Sequence, residues 1–287
     1  MALAFIPSDA ALLAVQAGVV LAPRRAPELG WLKRFSGPGW ALVPIASIVG
    51  VIYAIRYASQ TATGLTYLAL VAVPLLAAAG LGWASRGSRP WLALAAIPLF
   101  ALAWGARTSL LGEGAATLLS ALSCVTLGVL LAAVTPARWL KLGIIAMAGA
   151  DIWLVLSDLL QAPNNALIAA SPGSGLPRLQ SELFGSVSLG YGDLFVAGLL
   201  GAVLARDRRL QGWTALLTLF LAGLFDLLFF VLNELPATVP VALALALEEA
   251  ARWWSRRRRS VGAGRRAAAQ AGAGVEAEVA APARSSA

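Results

Sequence analysis

Ser188-Leu-Gly-Tyr-Gly-Asp193-Leu-Phe-Val-Ala-Gly198 is the stretch on which the reading of this chain turns. An acid stands there between glycines and apolar side chains, midway along an apolar run from 183 to 205 whose length suits a membrane span. A carboxylate at that depth is unfavourable by about 2.5–3.5 kcal/mol on insertion scales. Such an acid is by default a functional group, and it calls for a partner.

Composition supports the membrane setting. The chain has 287 residues, 59% of them hydrophobic and only 13% charged, with a mean hydropathy of +0.78. A soluble domain carries about 25% charged residues. With no histidine and one cysteine, Cys124, internal disulfides, Cys/His zinc sites and haem attachment are excluded. So are the Ser-His relay and the His-Glu-x-x-His metal site. The only lysines, Lys33 and Lys141, fall at segment ends, away from a Ser-Lys dyad. The acid-base groups left inside apolar segments are carboxylates, and no metal or cofactor is expected. The net charge of +8 does not indicate nucleic acid, because the basic residues lie in short loops and a terminal tail.

Apolar length and flanking breakers mark nine spans, at 5–22, 40–58, 64–84, 90–106, 115–134, 139–161, 183–205, 212–233 and 235–251. No basic residue precedes Arg24, so the first span reads as a retained helix rather than a cleavable signal. With the N-terminus outside, the inner loops hold Arg24, Arg25, Lys33, Arg34, Arg86, Arg89, Arg138, Lys141, Arg206, Arg208 and Arg209. Only Arg56, Arg107 and Arg178 fall on the outer side. The positive-inside rule then places the C-terminus in the cytoplasm. The expected fold is an all-α polytopic membrane protein with a nine-helix domain over 1–254. Residues 255–287 open on Ser-Arg-Arg-Arg-Arg-Ser and read as a basic, disordered cytoplasmic tail held near anionic headgroups. Residues 162–182 form a Pro/Gly/Ser-rich outer loop.

Depth selects the partner for Asp193. Asp151 in the span at 139–161 and Asp193 in the next both lie about 18 Å from the cytoplasmic face, at ~1.5 Å of rise per residue. Asp226 in the eighth span lies at comparable depth, while Asp158, Glu248 and Glu249 sit nearer span ends. Two carboxylates that meet in a low-dielectric site share a proton and titrate as a pair. The ionised member then draws a proton from water while the protonated one polarises a peptide carbonyl. Gly190 and Gly192 permit close approach or non-helical backbone beside the acid, giving water and an extended substrate access.

Gly190-Tyr191-Gly192-Asp193 resembles the Gly-x-Gly-Asp motif of the presenilin and signal peptide peptidase family of intramembrane aspartyl proteases. Asp151-Ile-Trp-Leu-Val155 is similar to the family's first catalytic aspartate and its sequel. Leu235-Pro236-Ala237-Thr238 resembles its Pro-Ala-Leu motif. The tyrosine that usually precedes the first aspartate is Ala150 here, and the leucine of Pro-Ala-Leu is Thr238. The resemblance covers about residues 145–245. It implies an endopeptidase with Asp151 and Asp193 as catalytic dyad and with Leu235, Pro236 and Ala237 beside the substrate cleft. The orientation resembles the signal peptide peptidase branch. That implies single membrane helices or signal-peptide remnants, N-terminus in the cytoplasm, as substrates. It also implies a segment around 176–188 that pairs with an extended substrate. The expected home is a bacterial-type cell membrane. Two other functions fit the same acids. One is a proton-coupled transporter with Asp151, Asp193 and Asp226 as relay. The other is an inactive family member that binds membrane helices.

Overall fold

The computed structural model describes residues 2–25, 37–42, 46, 50, 53, 59–157, 166, 170, 173, 175–179, 181–185, 187–227 and 236–279. The chain divides into two compact units, Met1–Leu245 and Ala246–Ala287. The described residues are mostly helical. They form α1 (Ala2–Leu21), α2 (Ser59–Ala79), α3 (Ala96–Gly105), α4 (Leu110–Val134) and α5 (Ala137–Leu156). Next come β1 (Ser181–Phe184), β2 (Val187–Gly190), α6 (Tyr191–Leu204), α7 (Arg208–Asp226) and α8 (Thr238–Val279). A π-helical turn over Gly80–Ala84 continues α2, and a 3-10 turn over Pro90–Ala95 leads into α3.

Among the described residues, three helices are long and apolar enough to cross a membrane: Ala62–Ala84, Leu110–Val134 and Ala137–Leu156. Pro7–Leu21, Pro90–Gly105 and Tyr191–Leu204 are apolar but shorter. Much of the second expected span, at 40–58, about half of the outer loop over 162–182, and Asp158 lie outside the described residues.

α4 is the axis of the first unit, with 61% of its apolar window buried against 22% and 28% for the other two long helices. Ser109 caps its start by accepting the Gly112 N–H. Its interior face carries Thr117, Ser120, Ser123 and Thr126, all buried. Small hydroxyl residues let helices approach closely and bond across the gap, which suits packing in lipid. Thr126 Oγ1 donates to the Leu76 carbonyl of α2 at 2.7 Å.

Against α4 lies α6. Glycines set the crossing: a Cβ on Gly198 would stand 2.6 Å from the Cys124 carbonyl oxygen, and one on Gly128 would stand 2.5 Å from that of Gly198. Every α6 residue from Val196 to Ala202 is buried, together with Leu194 and Leu204. A helix apolar on all sides belongs inside a bundle rather than on its rim.

α6 is shorter than the sequence suggests. Residues 183–190 are not the first turns of a helix: Ser181–Phe184 and Val187–Gly190 form an antiparallel hairpin, Phe184 opposite Val187, around Gly185 at φ 63°. Val187-Ser-Leu-Gly alternates apolar and small polar residues, the period of a strand. Glu113 of α4 tethers the turn by accepting the Gly185 N–H at 2.8 Å.

α7 packs along α1. Its buried positions Gln211, Thr214, Ala215, Thr218 and Ala222 trace one helical face. In the second unit the helix runs on to Val279, where the sequence suggests a disordered tail from 255. Ala and Arg dominate that stretch and both are good helix formers. An Arg252–Glu248 ion pair and Arg257 stacked 5.2 Å from Trp253 add i,i+4 support. Residues 280–287 lie outside the described residues.

Candidate active site

The site is built where α5, the start of α6 and the start of α8 share one core. Leu140, Ile144, Met147 and Ala148 of α5 join Leu194, Val196 and Ala197 of α6 and Val239, Val241 and Ala242 of α8 in a single apolar cluster. On α5 the buried positions are Leu140, Gly143, Ile144, Met147 and Ala148, spaced by three and four. Asp151 extends that stripe by one more step, so it leaves the apolar packing on the inward side of its helix.

Asp151 has a partner that the sequence hides. Its Oδ2 accepts the Thr238 hydroxyl at 2.6 Å and the Thr238 backbone N–H at 3.4 Å. Thr238 is the first residue of α8, where N–H groups have no intrahelical acceptor. The helix end also carries partial positive charge, which favours a carboxylate. Thr238 is therefore the group that orients Asp151.

Asp193 stands in the first turn of α6, not in mid-helix. Its Oδ2 accepts the Gly190 N–H at 3.1 Å. Gly190 is extended, φ −73° and ψ 141°, and caps the helix without a side chain of its own. Gly190 matters for space: a Cβ there would lie 2.9 Å from the same Oδ2. At Gly192 a Cβ would meet nothing within 4 Å among the described residues. Both Asp151 and Asp193 are half-buried, leaving them within reach of water.

Tyr191 anchors this turn. Its hydroxyl lies 2.7 Å from Ser123 Oγ on α4, and Cys124 Sγ lies 3.8 Å from its carbonyl oxygen. The Pro236-Ala237 turn is held from two sides. Ala237 accepts from Gln16 Nε2 of α1 at 3.1 Å, and Pro236 accepts the Val239 N–H at 3.1 Å. Leu235 lies outside the described residues.

Asp226 has different company. It faces Asp9 of α1, and its Oδ2 is buried with no hydrogen-bond partner among the described residues. Among the described residues no three carboxylate or thiol side chains gather as metal ligands. The chain matches no family model, no curated protein and no solved structure.

Proposed function

We propose that the chain is an intramembrane aspartyl endopeptidase whose acid pair is Asp151 and Asp193. The observation that carries this reading is that each acid is held at a helix start, Asp151 by Thr238 of α8 and Asp193 by Gly190, the residue that caps α6, on helices sharing one core. In that arrangement the pair shares one proton. The ionised carboxylate takes a proton from water, and the resulting hydroxide adds to the scissile carbonyl carbon. The protonated partner gives its proton to the carbonyl oxygen, forming a gem-diol that collapses with transfer of a proton to the leaving amine. No other acid-base group is required.

The substrate would be a membrane helix locally unwound to an extended strand, since a helical peptide bond is shielded and its carbonyl already paired. Two features support this. Among the described residues nothing lies within 4 Å of a Cβ placed at Gly192, which leaves a chain room at the acid. The β1–β2 hairpin, directly before α6, offers ladder groups to which an extended peptide can add. We read the chain as a nine-span protein of a bacterial-type cell membrane, N-terminus outside and C-terminus in the cytoplasm. The basic loop residues support this orientation. With it, substrates would be single helices or signal-peptide remnants whose N-terminus is cytoplasmic.

The deciding experiment reconstitutes the purified chain in liposomes with a reporter membrane helix and follows new termini by mass spectrometry. Asp151→Asn and Asp193→Asn should each reduce cleavage to background with unchanged membrane insertion. Undiminished cleavage by either variant overturns the assignment. Crosslinking by a transition-state analogue of aspartyl proteases, lost in both variants, separates a protease from a transporter or an inactive helix binder.

A further inference from the structure

At the end of α6 opposite Asp193 a cleft of about 530 Å³ opens among Arg24, Ser85, Arg86, Gly87, Ser88 and Arg208. Three chain segments build it. Pro23 and Ser85 form a bridge, the Arg24 N–H donates to the Ala84 carbonyl at 3.0 Å, and the Arg86 N–H donates to the Ala22 carbonyl at 2.8 Å. Arg208 enters from the first turn of α7.

The polar groups in this cleft have their donors assigned unevenly. Ser85 Oγ donates to the Gly80 carbonyl at 2.7 Å and Ser88 Oγ to that of Trp83 at 3.0 Å, so neither hydroxyl proton is free. Arg86 is fixed in place. Its Nε and one Nη donate to Gln211 Oε1, and that Nη also reaches the Ala205 carbonyl at 3.1 Å. Gln211 is fully buried, and its Nε2 is tied to the Val20 carbonyl at 2.8 Å. Arg24 lies over the Trp83 ring, 5.6 Å from its centre. The nearest acid in sequence, Asp207, accepts the Leu210 N–H as the cap of α7. Among the described residues no carboxylate pairs with Arg24, Arg86 or Arg208.

Three arginines thus line one cleft with no carboxylate beside them among the described residues, and one of them is rigidly held. Burial and the nearby Arg208 both lower the pKa of Arg86 below its ordinary value, as an uncompensated cluster of like charge requires. An arginine fork matches tetrahedral oxyanions, which accept two parallel N–H bonds. Position narrows the ligand further. Ser85 directly follows the candidate span Ala62–Ala84, so the cleft sits at the level where a bilayer presents its headgroups. A basic pocket between helix ends is the form such recognition takes.

We propose that this cleft is a phosphate-binding site, with Arg24 and Arg208 as movable donors and Arg86 as the fixed one. The phosphate is supplied by an anionic lipid headgroup or by free phosphate. The lipid source rests on the membrane reading, whereas the free-phosphate source does not, and proteolysis enters neither.

The test uses the purified full chain in detergent, with native mass spectrometry as readout and phosphatidylglycerol, phosphatidylcholine and inorganic phosphate as probes. Phosphatidylglycerol should be retained at least tenfold over phosphatidylcholine, and Arg24→Gln/Arg208→Gln should remove that preference. Arg24→Lys/Arg208→Lys should keep part of it. If millimolar inorganic phosphate leaves the bound lipid in place, the lipid is the source. If inorganic phosphate itself binds and displaces it, free phosphate is. Equal retention of both lipids without phosphate binding overturns the proposal, as does unchanged binding in the glutamine double variant. Should that double variant unfold, Arg24→Gln alone decides, with a loss of at least threefold expected and no loss fatal.

Discussion

Thr238 performs two tasks with adjacent atoms: its hydroxyl and its N–H both donate to Asp151 Oδ2. Removing a hydrogen bond to a charged group typically costs about 1.5–3 kcal/mol. Thr238→Val keeps shape and loses the hydroxyl donor, so cleavage should fall by roughly 10- to 100-fold on that scale. Thr238→Ser should restore most of it, a rescue that lost packing alone would not give. Gly190 makes an independent case. Because a Cβ there would crowd Asp193 Oδ2 at 2.9 Å, Gly190→Ala should turn the carboxylate off its backbone donor. Cleavage should drop at least about tenfold, on the same hydrogen-bond scale, while circular dichroism stays unchanged. Neither partner was legible beforehand. The acids stand out in the sequence because charge is rare in apolar runs, and the Gly-x-Gly-Asp pattern is local. The Thr238 contact joins positions 87 apart in sequence, which no periodicity records.

Among elements, the α4–α6 crossing fixes where Asp193 stands. The two backbones touch at Gly128 and Gly198, where a methyl group would meet a carbonyl oxygen rather than a flexible side chain. Overpacking at such a contact costs about 1–3 kcal/mol. Gly198→Ala should therefore lower stability by that order, measured by unfolding in mixed micelles, and should reduce cleavage with it. Helix identity was readable here from apolar length alone, and α4 lies close to its expected range. The start of α6 was not. An apolar run that includes Val187-Ser-Leu-Gly satisfies both a strand and a helix, and only the hairpin turn at Gly185 decides between them.

Across the whole molecule, loop charge carries the topological expectation. Alkaline phosphatase fused after Arg107 or Arg178 should be active outside the inner membrane, and after Arg86 or Arg208 inactive. The reverse pattern would exclude the orientation, and loss of the alternation would exclude the nine-span count. The Arg24–Arg86–Arg208 cleft extends this argument, because it turns basic residues that look like simple topology signals into one shaped surface. Nothing in the sequence joins them. The Pro23–Ser85 bridge joins two of their segments, and Gln211 ties the ends of α1 and α6 to Arg86.

The brevity of α6 also bears on how the protein is made. At ~1.5 Å per residue its 14 residues reach about 21 Å, short of the ~30 Å hydrocarbon layer. It would be a poor substrate for insertion on its own, and its hairpin would expose unpaired strand edges to lipid. Three helices that pack against it, α1, α4 and α5, precede it in the chain. On the proposed membrane reading, synthesis would present Asp193 only after these packing partners. Shortening the nascent chain to end after α6 should leave that segment inserted only when α4 is present.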